Sequence, residues 1–352
     1  MVAFTKRRSM VFPRSVHIGN NVIDDVADIC RSLQFGKNGL IVTGGDTYRS
    51  AGNRVEDLMQ ERYDIATKLT GNATFDNLRE VEASAKEHNA SFLLAVGGGS
   101  KIDLAKMAAK NLNIPFISIP TSVSHDGIAS DRASLKSENG SSSMNAVPPT
   151  GIIADTRVIC DAPYRYLAAG CADVIANLTA LGDWEYANRT KKEEISSSAF
   201  ILAKHSAEDI ISNSNEIKPG LEESVWLVLK PIIASGVSMC IAGSSRPTSG
   251  SEHMVSHALD IIKPDTALHG EQCGVASIMM MKLQGGDWKR IREALKNIGA
   301  PTTAKELGFT SGEMVHALVM ANTIRPERFT KLGEKGLTEK KAERLAKDTG
   351  VI

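Results

Sequence analysis

The sequence has no excess of either charge, which limits the partners it can have. Among 352 residues, 41 Lys and Arg balance 41 Asp and Glu, so the formal net charge is +0. Nucleic acids and anionic membranes are usually held by a surplus of cations, so neither is an expected partner. Any anionic ligand must be held by a local arrangement of donors.

Cysteines are few, and long apolar runs are missing. The five cysteines are scattered and form no C-x-x-C pair: Cys30, Cys160, Cys171, Cys240 and Cys273. This usage predicts a reducing compartment and no disulfide framework. The basic residues near the N-terminus are not followed by an apolar stretch of signal-peptide length, and no stretch reaches the length of a membrane span. Together these absences predict a cytoplasmic protein without a membrane span.

The most informative segment is a glycine-rich turn, Gly97-Gly98-Gly99-Ser100. The apolar run 91–96 before it predicts a buried parallel strand, and helical spacing follows it. Glycines let the chain turn tightly and let a pyrophosphate approach the free N–H groups at the helix start. The turn is neither a G-x-G-x-x-G fingerprint nor a Walker loop, so a plain tight turn is the alternative.

Strand and helix patterns alternate through the first half of the chain and predict a parallel sheet with helices on both faces. A half-exposed strand at 130–136 and a turn at 137–143 predict a flap, and Gly36 is a candidate helix cap. From residue 162 onward the pattern is almost wholly helical. We predict an α/β nucleotide-binding domain with a Rossmann-like sheet over 1–160 and an all-α domain over 161–352. The predicted strands are 39–43, 64–68, 91–96, 114–119 and 151–155, and the predicted helices of the first domain include 21–33, 54–62 and 77–87.

Two more polar turns follow predicted strands, where ligands of parallel sheets bind. Asp46 follows strand 39–43 and either caps the next helix or accepts hydrogen bonds from an adenosine ribose. Hydroxyls on Thr121, Ser122 and Ser124 follow strand 114–119 and suit the polar edge of a nicotinamide or its ribose.

Ligand-type side chains in the helical half suggest a metal site. Asp173 lies among small apolar residues, and a buried carboxylate needs a partner. His253 and His257 are four residues apart on one helix face, and His269 follows a loop. An aspartate with two histidines and an open position suits catalytic zinc or ferrous iron. A single histidine on a helix is more often a packed core or surface residue than a ligand, the i, i+4 pair suits either interpretation, and spacing alone does not show that the three residues converge.

Together these motifs resemble the metal-dependent polyol dehydrogenase superfamily, which includes glycerol dehydrogenase, iron-containing alcohol dehydrogenases and dehydroquinate synthase. Within it, segments 122–130, 245–253 and 268–272 are most similar to the archaeal glycerol-1-phosphate dehydrogenase family. The resemblance covers nearly the full chain. It implies reduction of dihydroxyacetone phosphate to sn-glycerol 1-phosphate for archaeal ether lipids, carried out by a homo-oligomer.

The resemblance also implies roles for individual residues. Zinc would be held by Asp173, His253 and His269. The substrate would meet Asp126, His257 and, through the metal, Asp173, with Asp126 and His257 as alternative proton donors. NAD(P) would contact Gly99, Ser100, Lys101, Ile102, Asp103, Thr121, Ser122, Val123, Ser124 and Ser130, with Asp46 near the adenosine ribose.

Some questions stay open at this level. Asp46 does not decide between NAD and NADP. Arg246, Lys204 and Arg132 are candidate ligands of the substrate phosphate, and each could instead be a surface or ion-paired group. Three other functions compete: a polyol dehydrogenase without phosphate specificity, a dehydroquinate-synthase-like lyase, and a metal-free nucleotide-binding sensor.

Overall fold

The computed structural model describes residue 5 and residues 7–137, 140–333 and 335–352. Six strands form one sheet in the order β1-β8-β5-β4-β2-β3, and all of its neighbours pair in parallel. A separate antiparallel hairpin consists of β6 and β7. The strands are β1 (Ser15–Gly19), β2 (Asn38–Thr43), β3 (Asp64–Leu69), β4 (Phe92–Gly97), β5 (Phe116–Pro120), β6 (Arg132–Ser137), β7 (Gly140–Asn145) and β8 (Gly151–Asp155).

Helices cover both faces of the sheet and make up the regular structure after β8. The first group is α1 (Val26–Ser32), α2 (Gly45–Thr47), α3 (Asn53–Gln60), α4 (Phe75–Glu87) and α5 (Gly99–Leu112), with a π-helical turn at Tyr48–Gly52 and 3₁₀ turns at Val22–Asp25 and Asp126–Ile128. The second group is α6 (Thr156–Asp161), α7 (Tyr164–Lys191), α8 (Ser197–Ser212), α9 (Glu222–Ala242), α10 (Ser251–Ile262), α11 (His269–Gln284), α12 (Trp288–Ile298), α13 (Ser311–Ile324) and α14 (Glu339–Asp348).

The central strands are apolar because both faces of the sheet are covered. Every residue of β4 and β5 is buried. One face packs against α4 and α5, and this core continues without a break into α7, α9, α10 and α11. The other face packs against α1 and α3. The continuous core holds the helical region against the sheet, and a cavity lies where they meet.

The predicted fold class is confirmed: an α/β region with a parallel sheet is followed by helices. Some details differ. The edge strand β1 was not predicted. Gly36 is not the helix cap that was predicted, because the residue with left-handed backbone after α1 is Gln34, with φ 60°. A Cβ at Gly36 would instead lie 2.4 Å from Oγ of Ser91. The predicted turn at 137–143 is wrong at Ser137 and from Gly140 onward, because these residues pair in the antiparallel hairpin of β6 and β7; residues 138–139 lie outside the described part of the chain.

Helix α9 is long and apolar enough to cross a membrane by length and composition, contrary to the expectation from the sequence. Its mean hydropathy reaches 1.8. However, 67% of the most apolar window is buried inside the protein, as expected for a core helix. Its apolarity is therefore explained by packing against α7 and α8.

Candidate active site

A cavity of about 940 Å³ lies between the carboxyl edge of the sheet and the helical region. It brings together most of the residues singled out in the sequence. Ile102 and Val123 are fully buried behind its wall, and Asp173 is also buried. The predicted residues that line it are Asp46, Gly99, Ser100, Lys101, Asp103, Thr121, Ser122, Ser124, Asp126, Ser130, His253, His257 and His269.

The glycine turn opens the N-terminus of α5 toward this cavity. Gly98 is the N-cap in an extended conformation, and no side chain caps the helix. A Cβ on Gly99 would lie 2.0 Å from Nε2 of His125, and one on Gly98 would lie 3.0 Å from Oγ of Ser122. The glycines are therefore needed so that the turn can approach the loop after β5. The free N–H groups at this helix start are a suitable place for a phosphate.

Asp46 lies at the rim of the cavity and not at a helix cap. The N-cap of α2 is Gly44, and Asp46 occupies the first turn. Its side chain is 94% exposed and forms an ion pair with Arg49. The structure therefore does not use Asp46 as the predicted cap, and it leaves the carboxylate facing solvent beside the cavity.

A fully buried lysine, Lys106 on α5, fixes the loop that follows β5. Its Nζ donates to the carbonyl oxygen of Arg132 at 2.6 Å, to Oγ of Ser130 at 3.2 Å and to the carbonyl oxygen of Gly127. Asp103, one turn earlier, lies 3.5 Å away and accepts from the N–H of Ser134. Burial lowers the pKa of Lys106, and Asp103 opposes that effect. Lys106 therefore holds Gly127, Ser130 and Arg132, which line the cavity, without lining it itself.

Asp173, His253 and His269, here called the candidate metal group, lie close together, a convergence that spacing alone could not show and that the family resemblance implied. Oδ1 of Asp173 lies 3.8 Å from Nε2 of His253 and 3.9 Å from Nε2 of His269. This oxygen is buried and has no hydrogen-bond partner, whereas Oδ2 accepts from the N–H of Asp126 at 3.1 Å. A buried acceptor without a donor, facing two imidazole nitrogens, is what a bound cation would satisfy.

Each histidine of the candidate metal group is held through its other ring nitrogen. Nδ1 of His253 lies 3.0 Å from Oε1 of Glu252, and Nδ1 of His269 lies 3.0 Å from Oγ of Ser256. These contacts turn both Nε2 atoms toward Asp173. Ligand histidines in metal sites are commonly oriented in this way. Glu252 and Ser256 had not been assigned this role from the sequence, since neither belongs to a spacing motif.

Another ligand-type side chain, Cys273, lies beside the candidate metal group and was not singled out for it from the sequence. It lies one turn after His269 on α11, and its Sγ is 3.6 Å from Nε2 of that histidine. The i, i+4 spacing was the available signal. Burial raises the pKa of Cys273 well above its usual value, so the side chain is a thiol in this arrangement.

Asp126 and His257 flank the candidate metal group. Asp126 is buried, and Oδ2 accepts from the Ser235 hydroxyl at 2.8 Å. Burial, then the nearby charge of Asp173, raise the pKa of Asp126 to about 6. Burial, followed by the charge of Arg325, lowers the pKa of His257 to about 3, so this imidazole is neutral. Its Nδ1 is buried without a partner.

The three cations suggested for a substrate phosphate lie in different places. Arg246 is bonded to Glu193 through Nε and Nη2 and to the carbonyl oxygen of Phe329 through Nη1, and it does not line the cavity. Lys204 lines a second cavity beside α8. Arg132 does line the central cavity, as does Arg325, which no sequence motif had marked.

Comparison with known proteins gives two levels of similarity. A family model described as iron-containing alcohol dehydrogenase matches residues 17–163. Glycerol-1-phosphate dehydrogenase [NAD(P)+] from Methanosarcina mazei is 51% identical over 344 residues, which cover 97% of this chain and 96% of that protein. The protein of the same name from Methanothermobacter thermautotrophicus is 50% identical over 346 residues, 98% of this chain and 99% of that one.

Solved structures share the fold at much lower identity. A probable glycerol dehydrogenase from Sinorhizobium meliloti has a TM-score of 0.80 at 17% identity and covers 97% of this chain and 98% of its own. Glycerol dehydrogenase from Schizosaccharomyces pombe has a TM-score of 0.79 at 18% identity, and the match covers 98% of this chain and 91% of that one. At these identities the likeness concerns the fold alone.

Proposed function

The chain belongs to the glycerol-1-phosphate dehydrogenase family, and from this premise we propose that it reduces dihydroxyacetone phosphate to sn-glycerol 1-phosphate with NAD(P)H. One observation carries the proposal: identity near 50% to members of this family extends over 97–98% of the chain. The product would supply the backbone of archaeal membrane ether lipids, and the enzyme would act in the cytoplasm.

We propose that Asp173, His253 and His269 hold one zinc ion. The unpartnered Oδ1 of Asp173 and the two Nε2 atoms facing it support this assignment. One carboxylate and two imidazoles with a further position open to substrate are a typical donor set for catalytic zinc. When bound, such an ion supplies a Lewis acid that polarises a ketone carbonyl.

NAD(P) is proposed to bind along the carboxyl edge of the sheet. The uncapped start of α5 supports a pyrophosphate position, because its N–H groups are not used by a side chain. When bound, the cofactor supplies the hydride that reduces the substrate carbon. The proposed contacts are Asp46, Gly99, Ser100, Lys101, Ile102, Asp103, Thr121, Ser122, Val123, Ser124 and Ser130; for the fully buried Ile102 and Val123, a contact would involve the backbone.

Asp126 and His257 are proposed to bind the substrate together with Asp173, and to provide the proton. Reduction adds a hydride to the carbonyl carbon and a proton to its oxygen, so a donor must lie beside the candidate metal group. The buried carboxyl of Asp126 is held by Ser235, and the neutral ring of His257 has a nitrogen without a partner. Both can therefore hydrogen-bond a substrate hydroxyl and act in proton transfer.

The domain boundary and the assembly are also proposals. Strand β8 ends at Asp155 and the long helix α7 begins at Tyr164, which supports a boundary near residue 160 between domains 1–160 and 161–352. The family resemblance suggests a homo-oligomer. Light scattering coupled to size-exclusion chromatography tests it, and a mass of one 37.8 kDa chain would contradict it.

The activity is tested by following NAD(P)H oxidation with dihydroxyacetone phosphate and then with dihydroxyacetone. Each assay is repeated after metal removal and after zinc is returned. We expect turnover that requires the phosphate, disappears on chelation and returns with zinc. Equal turnover of both ketones would indicate a polyol dehydrogenase without phosphate specificity. Inertness toward both, or indifference to chelation, would contradict the proposal.

A further inference from the structure

Arg325 follows α13 and contributes a cationic side chain to the central cavity. It is partly buried, and within the described part of the chain its side chain forms no hydrogen bond or ion pair with the protein. A guanidinium has five N–H donors in a fixed planar arrangement. A partly buried cation whose donors are all unused costs free energy unless a ligand compensates it.

The other basic side chains that line this cavity have partners in the protein. Lys101 donates to the carbonyl oxygen of Gly71, and Lys136 pairs with Asp265. The third is Arg132, which donates to Oδ1 of Asn145 and lies 3.3 Å from Asp131. Among the described lysines and arginines that line the cavity, Arg325 is therefore the one whose side chain has no partner in the protein, although Nε of Arg132 is also a buried donor without a hydrogen bond.

The charges around Arg325 also favour an anion in the cavity. Burial lowers the pKa of Arg325, and the charge of Arg132 lowers it further, while Glu327 opposes these effects. Behind it, burial and then Arg325 lower the pKa of Arg328 to about 9. After burial, the charge of Arg325 is among the causes that lower the pKa of His257 and the pKa of His269. The guanidinium therefore lies in the same part of the cavity as the candidate metal group.

We propose that Arg325 binds the phosphate group of the ketose phosphate and thereby makes the enzyme select it over the phosphate-free ketone. The proposal rests on the proposed function, because that function supplies a substrate with a phosphate next to its ketone. Guanidinium and phosphate match in geometry, since two parallel N–H groups can donate to two oxygens. A dianion there would use donors that the protein leaves free. Arg325 thus acts as a specificity-determining residue.

The test compares the wild type with Arg325→Gln and Arg325→Lys. The readout is the ratio of kcat/KM for dihydroxyacetone phosphate to kcat/KM for dihydroxyacetone. We expect Gln to lower this ratio by about 30-fold or more, the loss typical of a buried charge pair. Lys keeps the charge but not the two-pronged geometry, so it should recover part of the ratio. Inorganic phosphate should inhibit the wild type competitively and the Gln variant at least about 10-fold more weakly.

Arg79→Gln is the matched control, because Arg79 is 74% exposed on α4 and pairs with Asp76 at the surface. NADH binding and thermal unfolding show whether each variant is folded. If Arg325→Gln does not fold, Arg325→Lys decides, with a lowered ratio supporting the proposal. A wild type without activity on dihydroxyacetone phosphate would refute the proposed function itself. An active wild type whose ratio and phosphate inhibition are unchanged in the folded variants would overturn the role of Arg325 alone.

Discussion

Oε1 of Glu252 lies 3.0 Å from Nδ1 of His253, and this contact directs the opposite ring nitrogen toward Asp173. Glu252 is fully buried, and its carboxylate also accepts from the hydroxyl of Thr179 at 2.8 Å and the N–H of Gly250 at 2.5 Å. The carboxylate is therefore fixed before any ligand arrives. An imidazole held in this way offers a defined nitrogen to a metal ion.

Replacing Glu252 should weaken metal binding more than it changes the fold. Glu252→Gln keeps the shape but removes the negative charge of the carboxylate that contacts Nδ1 of His253. We expect zinc affinity to fall by about 10–100-fold, measured by competition with a chromophoric chelator. Glu339→Gln, at an exposed position in α14, should leave the affinity unchanged. An unchanged affinity in Glu252→Gln would show that the carboxylate does not support the metal ligand.

The close approach of α11 and α7 gives a prediction about stability. A Cβ on Gly270 would lie 2.1 Å from the carbonyl oxygen of Ala169 and 2.9 Å from that of Ser124. Gly270→Ala must therefore displace the backbone beside His269, and we expect a loss of about 1–3 kcal/mol in the free energy of unfolding. Urea unfolding measures it.

The matched control for that substitution is Gly312→Ala in α13, where a Cβ meets no atom within 4 Å. There alanine should stabilise the helix by about 0.4–1 kcal/mol. Equal effects at both glycines would contradict the close packing between α11 and the neighbouring backbone.

The buried lysine behind the cavity is expected to matter for both stability and cofactor binding. Lys106→Met fills a similar volume but leaves the carbonyl oxygens of Gly127 and Arg132 without their donor, and Asp103 without its cation. We expect a loss of about 3 kcal/mol in stability and a higher KM for NADH. Lys86→Met at an exposed site should change stability by no more than about 0.5 kcal/mol. A stable variant with normal KM would disprove this role.

The Asp183 carboxylate predicts a specific pH dependence of stability. It is fully buried and accepts from the N–H of Ser251 at 2.7 Å, at the start of α10. Burial, then the charge of Glu252, raise the pKa of Asp183 from 3.8 to about 6. The folded protein therefore binds this proton more tightly than the unfolded chain. Stability from this group increases as pH falls from about 6 to about 4, and it is lost as pH rises through 6.

The comparison that isolates this group is wild type against Asp183→Asn, unfolded by urea between pH 4 and pH 7. The free energy of unfolding of the wild type, relative to the variant, should rise by up to about 3 kcal/mol toward pH 4. Parallel pH profiles for the two proteins would show that Asp183 titrates normally.

The sequence was most informative where local patterns determine structure. The apolar run of β4, the glycine turn and the start of α5 were predicted because a buried strand, a tight turn and helical spacing are each visible within a few residues. Asp173 was singled out because a carboxylate among small apolar residues needs a partner. Its partners His253 and His269 were two of three candidate histidines, and the family resemblance selected them.

Features that depend on long-range packing could not be predicted in this way. Strand β1 pairs with β8, more than 130 residues away along the chain, and no periodic pattern marked it. Arg325 reaches the cavity only because α13 packs against α10. Arg246 was a reasonable phosphate ligand from its position before the histidine helix, yet folding brings Glu193 to its guanidinium. Ion-pair partners of this kind are set by tertiary structure.

The central claim is tested most directly by identifying the product. Zinc-loaded enzyme is incubated with dihydroxyacetone phosphate and NADH, and the phosphorylated product is then offered to a dehydrogenase specific for sn-glycerol 3-phosphate. We predict one glycerol phosphate formed per NADH oxidised, inert to that second enzyme, and no product from the Asp173→Asn variant. A product that the second enzyme oxidises, or no glycerol phosphate from the wild type, would contradict the account.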